Sequence, residues 1–277
     1  MAADDASPAL RFSVLGSSSS GNSTLVTDGT TTLLFDAGLP VNYTAENIRS
    51  MTGRDSLDGI MVSHEHSDHT RYLFAIARRY SCPVFVSQAV LWYLSGGSSV
   101  KVMTIRDRDP VRVKTLTVTP FVVPHDALDP FGFVIEGSGR SLGIVTDCGS
   151  LEGPTLDLLR DRDALVIESN YDDDMLLKGR YPAFLKARLG DPRGHLSRRM
   201  CRDIIRQIIG PRTRQVVLAH LSEENNDPLL ALQTTLEAVG VCGLDIDVQV
   251  SYPRHPTRLV SIGCPPDAQV AFDQRLH

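Results

Sequence analysis

Short apolar runs alternate with polar loops along most of the chain, with the length and β-branched content of buried strands. The pattern predicts strands at Arg11–Leu15, Ser23–Val26, Thr31–Phe35, Ile60–Val62, Pro83–Val86 and Val100–Thr104, and one or two within Val111–Val123. Further strands are predicted at Phe131–Ile135, Ser141–Val145, Ala164–Ile167, Gln215–Ala219, Leu244–Val250 and Arg258–Ile262. Helical spacing appears in Thr70–Tyr80, through Leu73, Phe74, Ile76 and Ala77, and in Gln88–Leu94, where Trp92 reads as a packing residue. A longer helix should start at a Ser197 cap, run to Ile209 and stop at Gly210-Pro211. Its apolar stripe is Leu196, Met200, Ile204, Ile205, Ile208 and Ile209, opposite Arg198, Arg199, Arg202 and Arg206. Asp227 caps another helix, begun by Pro228 and closed near Gly240.

Strand after strand delivers an acid or an imidazole: Asp36, His64, His125, Asp147, Glu168 and His220. Rigid scaffolds present chemistry at such strand ends. Two strand-rich halves, before and after about Ala127, predict two sheets packed face to face with helices outside. The densest stretch is His64-Glu65-His66-Ser67-Asp68-His69, which holds three of the eight histidines between a buried strand and a helix. A lone histidine there would read as a polar loop residue. Three, with a carboxylate, propose a metal site, because first-row ions take imidazole nitrogen and carboxylate oxygen together. Asp36 would support that site from behind its ligands. The loop Gly16-Ser17-Ser18-Ser19-Ser20-Gly21-Asn22 either offers N–H groups to an anion or merely connects a hairpin, and it lacks the GKS or GKT ending of an ATPase loop.

Composition is ordinarily globular, with 277 residues, 42% hydrophobic and 22% charged. No run reaches membrane-spanning length and the acidic start is unlike a secretory signal, so the expectation is no membrane and a cytoplasmic location. Residues 1–9 read as a flexible N-terminus and 10–277 as one domain. Five scattered cysteines, Cys82, Cys148, Cys201, Cys242 and Cys264, make neither a disulfide framework nor a zinc finger and read as small buried hydrophobes. Cys148 alone adjoins a candidate ligand. Net charge is −5, yet from Lys178 to Arg214 eleven cations face only Asp191 and Asp203, a local +9 that leaves −14 on the rest. Such segregation focuses positive potential on an acidic protein.

The HxHxDH signature at residues 64–69 resembles the metallo-β-lactamase superfamily. That resemblance implies an α+β (αββα) four-layer sandwich, two facing mixed β-sheets with helices outside, carrying two divalent ions at one edge. By motif, His64, His66 and His125 would hold one ion, Asp68, His69 and His220 the other, and Asp147 would bridge them. More narrowly, GSSSSGNS, SHEHSDH, TDCG, ESNYD, GHLS and AHLSEENN look like the YycJ/WalJ group of metal-dependent 5′-to-3′ DNA exonucleases. The order Glu168, His195, His220 is also similar to tRNase Z, where a glutamate and a histidine help the leaving oxygen. Here IleGluSerAsn and His195-Leu196-Ser197 replace the HEAT and HST motifs of that family. Neither its long tRNA-gripping insertion nor the cap domain of the β-CASP nucleases has a counterpart.

Chemically, a hydroxide bridging two ions would attack phosphorus in line while the ions absorb charge on the phosphoryl oxygens. Asp68, Glu168 and His195 are the expected catalytic residues, with His195 as general acid oriented by Glu168. Asp147 could instead be a turn aspartate, and His125 a loop histidine. Arg198, Arg199, Arg202 and Arg206 are expected on the DNA backbone, or otherwise form a solvated face. Tyr171, Tyr181 and Phe184 either stack on a terminal base or pack their loop. The expected function is a dinuclear-metal phosphodiesterase, a 5′-to-3′ DNA exonuclease in repair, using Mn²⁺ or Zn²⁺ with Fe²⁺ or Ni²⁺ as alternatives. DNA is the expected partner and RNA a further one; the oligomeric state is open. A small-molecule hydrolase of thioesters, lactones, lactams or cyclic phosphodiesters is the rival, and a non-catalytic nucleic-acid-binding protein the second.

Overall fold

The computed structural model describes residues 9–94 and 99–262, so the N-terminal expectation up to Pro8 and Cys264 fall outside the described residues. Its first sheet begins as an antiparallel meander of β1 (Arg11–Gly16), β2 (Ser23–Thr27) and β3 (Thr32–Phe35). The chain then crosses through α1 (Val41–Thr52) to β4 (Gly59–Met61), which lies parallel to β3. Helices α2 (Ser67–Thr70) and α3 (Leu73–Tyr80) lead to β5 (Val84–Val86), and α4 (Gln88–Tyr93) to β6 (Val102–Thr104). Both strands extend the parallel half.

The second sheet repeats that plan. Strands β7 (Val111–Val113), β8 (Leu116–Val122), β9 (Phe131–Gly137) and β10 (Arg140–Val145) pair antiparallel. Crossovers then deliver the parallel strands β11 (Ala164–Glu168), β12 (Gln215–Ala219) and β13 (Asp247–Val250) through α5 (Gly153–Leu159), α6 (Asp173–Lys178), α7 (Ala183–Leu189), α8 (Arg198–Ile208) and α9 (Pro228–Val241). Finally β14 (Val260–Ser261) returns to pair with β1, giving two seven-stranded sheets among the described residues.

Period-two alternation explains the layers. In β11, Ala164 and Val166 join Phe12, Phe35, Phe133 and Val217 in the core between the sheets. Leu165 and Ile167 point the other way, into a core with Leu156, Ile205 and Val239 of α5, α8 and α9. Strand β4 likewise sends Met61 inward and Ile60 toward Ile48 and Ile76 of α1 and α3. Each such aliphatic or aromatic side chain contributes about 1.5–3 kcal/mol by leaving water. The result is the expected αββα sandwich.

Four expectations change. The sheets divide not near Ala127 but at the polar turn Arg106–Pro110, because Val111 pairs with Val118 in a hairpin and both strands join the second sheet. The helix expected at Thr70–Tyr80 breaks, since the Tyr72 N–H donates to the Ala37 carbonyl, and α2 begins inside the histidine motif. Trp92 does not pack: it is 74% exposed, while Val90 is the buried residue of α4. Cys82, Cys148 and Cys201 are buried as expected, but Cys242 is exposed after α9. Among the described residues no helix is long and apolar enough to cross a membrane.

Candidate metal centre

Strand ends of both sheets converge on one edge. His64 follows β4, His125 follows β8, Asp147 follows β10, Glu168 closes β11 and His220 follows β12. Three of the residues just past strand ends, Asp36, Asp147 and His220, have left-handed backbones at φ 62°, 53° and 54°. Such conformations cost non-glycine residues about 1–3 kcal/mol and persist where surroundings hold them. The Asp36 N–H donates to Met61 O, and the His220 N–H to Ser17 Oγ. Close packing is equally strict at Gly38, where a Cβ would lie 1.6 Å from the Asp68 carbonyl oxygen.

Two donor groups result. His64 Nε2 lies 3.0 Å and His125 Nε2 3.4 Å from His66 Nδ1. In the second group Asp68 Oδ2 lies 3.2 Å from His69 Nε2 and 3.5 Å from His220 Nε2. Asp147 reaches both, with Oδ2 3.0 Å from His69 Nε2 and Oδ1 3.8 Å from His125 Nε2. The sets His64/His66/His125, Asp68/His69/His220, His64/His69/Asp147 and Asp147/Glu168/His195/His220 each keep their donor atoms within 4.8 Å of one another. Asp147 Oδ2 and His220 Nε2 are enclosed yet have no hydrogen-bond partner, because their nearest polar neighbours are too long or misaligned. Orphaned buried polar atoms are costly, and a cation among them removes the cost. Imidazoles and carboxylates at this spacing suit a dinuclear site for first-row ions.

The far nitrogens of four of these histidines are held too, which fixes ring orientation. His69 Nδ1 meets Asp36 Oδ2 at 2.8 Å, and Ser63 Oγ lies 2.9 Å from His64 Nδ1. His125 Nδ1 meets the Gly194 carbonyl at 3.0 Å, and His220 Nδ1 meets Glu168 Oε1 at 2.9 Å. Asp36 was legible beforehand; Ser63 and the Gly194 carbonyl were not. Nor was Asn22, whose Nδ2 lies 3.1 Å from both Asp68 Oδ2 and His69 Nε2. The Gly-Ser loop is therefore a hairpin connection closed on itself: Ser18 N–H donates to Asn22 Oδ1, Ser20 N–H to Ser18 Oγ and Gly21 N–H to Ser18 O.

Glu168 is fully buried and receives four hydrogen bonds. Oε1 accepts from His195 Nδ1 at 2.7 Å and from His220 Nδ1; Oε2 accepts from the N–H groups of Cys148 and Leu196. Saturated in this way, it orients imidazoles rather than binding an ion. The Cys148 contact is through its backbone. His195, whose ring centroid lies 5.1 Å from that of His125 and 5.2 Å from that of His220, has its side chain 16% exposed where His125 and His220 are at 3% and 4%. It therefore sits at the mouth.

Burial, with the neighbouring His69 second, keeps His64 well below the usual imidazole pKa, and burial also lowers His125. Burial opposes charging His69 and His220 too, but Asp147 and the other carboxylates override it, raising His220 to about 10. Asp68 and Asp147 stay ionised against burial because histidines face them, and His195 and His220 hold buried Glu168 near about 2. Burial also opposes charging His195, yet Glu168 raises its pKa above the ordinary value. His64 and His125 are thus neutral and ready to ligate, while protons occupy His69 and His220 until a cation replaces them.

The expected substrate contacts are rearranged. Arg198 is bound to Asp172 and Thr234, Arg199 pairs with Asp173 at 3.2 Å and Arg202 with Asp203 at 2.8 Å. Two acids 26 positions earlier and the adjacent Asp203 thus neutralise most of the arginine face, and of these four arginines only Arg206 has no ion pair among the described residues. Tyr171 is 5% exposed and packs rather than offering a stacking face, and Tyr181 is half-buried.

Comparison with known proteins agrees with this architecture. Residues 31–221 match the beta-lactamase superfamily domain. The chain is similar to the exodeoxyribonuclease YycJ of Bacillus anthracis, 30% identical over 259 residues, covering 90% of this chain and 98% of that one. It is similar also to the exodeoxyribonuclease WalJ of Streptococcus pneumoniae serotype 2, 30% identical over 264 residues and covering 91% and 98%. In fold it is similar to Zn²⁺-bound PqqB from Methylobacterium extorquens, with a TM-score of 0.69 at 17% identity over 89% of this chain and 99% of that one. The chain therefore belongs to the metallo-β-lactamase superfamily, among the YycJ/WalJ-type proteins, and is a metal-dependent hydrolase.

Proposed function

We propose that this hydrolase cleaves DNA phosphodiester bonds exonucleolytically, from the 5′ end, in DNA repair. The observation that carries the reading is the Glu168–His195 pair at the mouth of the metal centre, 2.7 Å apart. With Nδ1 committed to Glu168, the Nε2 proton of His195 is the one available to a leaving oxygen. An alkoxide leaving from DNA needs that proton. Glu168, held by four donors, stays ionised and stabilises the imidazolium rather than taking the proton itself. The similarity to two exodeoxyribonucleases along nine-tenths of the chain supports the choice of DNA.

His64, His66 and His125 would hold one ion, Asp68, His69 and His220 the second, and Asp147 both; Mn²⁺ and Zn²⁺ are the proposed metals. When bound, two such ions lower the pKa of water and offset charge on the phosphoryl oxygens. Asp147 would supply negative charge to both ions and Asp68 to the second, and Asp36, Glu168 and Gly194 O fix the orientation of His69, His220 and His125. The test is a panel of DNA, RNA, a cyclic phosphodiester, a thioester and a lactam, with protein loaded with Mn²⁺ or Zn²⁺. Preferential DNA hydrolysis, lost in Asp68→Ala, is expected. Preference for the thioester or lactam would refute the phosphodiesterase reading.

A further inference from the structure

We propose that the ledge from Leu177 to Arg193, built by α6 and α7, is the surface along which a single nucleic-acid strand reaches the metal centre. Phe184 stacks on an unpaired base, and Arg180 and Lys186 meet phosphates. This rests on the nucleic-acid reading above and moves the contact away from the arginines of α8.

Helix α7 has no fully buried residue; of its apolar side chains only Leu185 and Leu189, one turn apart, are half-buried. Phe184 is 75% exposed and neighbouring Leu177 71%. Polar tethers hold the ledge as well: Lys186 Nζ donates to Leu177 O at 2.7 Å, while Arg188 and Arg193 both donate to Asp126. Those tethers end at the chemistry. Asp126 adjoins His125, Gly194 O accepts from His125, and the His195 N–H donates to Leu189 O at 3.0 Å. A groove of about 520 Å³ lined by Asp126, Ala187, Arg188, Asp191 and Arg193 lies alongside.

Charge selects the occupant. Between Lys178 and Arg193 the sequence holds five cations and one acid, Asp191, a net +4 that Asp126, paired with Arg188 and Arg193, and Asp174, beside Lys178, reduce to +2. Arg180 and Lys186 have no acidic partner among the described residues, in contrast to Arg198, Arg199 and Arg202. A second copy docked symmetrically would set this cationic surface against itself. A polyanion is complementary. An exposed ring on the same ledge as Arg180, which has no acidic partner among the described residues, and Lys186, which is tied only to a carbonyl, selects a single strand, because bases within a duplex already stack on one another.

The test is anisotropy titration of a fluorescein-labelled phosphorothioate single strand, resistant to cleavage, against the metal-loaded full chain. Phe184→Ala should weaken binding about tenfold. Arg180→Ser should make the slope of log K against log salt shallower by about 0.7. Trp92→Ala, on α4 in the helix layer outside the first sheet, is expected to keep the wild-type affinity. Wild-type affinity and slope in both ledge variants, or no strand binding by the wild type, would overturn the ledge. Loss of a dimer in Phe184→Ala without weaker strand binding would also overturn it, identifying a contact between copies. Tight, ledge-dependent binding by a protein that hydrolyses no nucleic acid would sink the nuclease reading and keep the ledge.

Discussion

His195→Ala separates proton donation from metal binding. His195 belongs to neither the three-histidine group nor the Asp68/His69/His220 group. It clusters with Asp147, Glu168 and His220, but its Nδ1 and the Glu168 oxygens are taken up by hydrogen bonds, and its removal leaves His125 held by Gly194 O and His220 held by Glu168. Glu168 loses one of four hydrogen bonds but keeps His220 and two backbone donors. Metal content should therefore survive. A positioned general acid contributes about 10²–10⁴-fold in rate, or about 2.7–5.4 kcal/mol at 1.36 kcal/mol per tenfold. That loss should appear in full on DNA, whose leaving alkoxide needs a proton. Bis(p-nitrophenyl) phosphate releases an anion already stable in water, so its hydrolysis should fall less than about tenfold. Single-turnover rates on both substrates, with metal content by mass spectrometry, give the comparison. Equal losses on the two substrates, or metal loss in parallel with activity, would refute the assigned role.

Other residues carry separate expectations. Asp36→Ala frees His69 Nδ1 and should weaken binding of one ion by about 10–100-fold; calorimetric titration with wild-type affinity would contradict this. Stripping the ions with a chelator should lower Tm, because ligand at about 100 times its Kd adds about 2.7 kcal/mol, worth about 5–10 °C in a domain of this size. An unchanged melting curve would mean the cluster holds no ion. Burial raises the Asp172 pKa, but its hydrogen bonds with Arg198 lower it further. Its stabilising contribution is therefore present above the unfolded carboxylate value of about 3.9 and lost as pH falls through the depressed native value. The stability gap between wild type and Asp172→Asn in urea should shrink from neutral to acid pH; a constant gap counts against the ion pair.

Much of this architecture was legible because the informative signals are local. A buried strand ending in His or Asp declares itself in a few residues, as at His64, His125 and His220, and Ser197 and Asp227 cap their helices as read. Helices α1, α5, α6 and α7 were missed: α1 and α7 have no side-chain cap bond, and α7 has no buried stripe to leave a periodic signature. Long-range pairing was equally silent. Nothing near Arg198 announces Asp172, and nothing near Asp68 announces Asn22, 46 positions earlier. The left-handed turns at Asp36 and His220 were hidden for a different reason: tertiary hydrogen bonds hold them, not glycine.

The most direct measurement is a product-length time course with metal-loaded protein on DNA labelled at either the 5′ or the 3′ end, with Asp68→Ala as control. The account predicts immediate release of 5′-label as mononucleotide while 3′-labelled strands shorten progressively, with neither change in the control. Internal fragments from the start, label released first from the 3′ end, or intact DNA would contradict it.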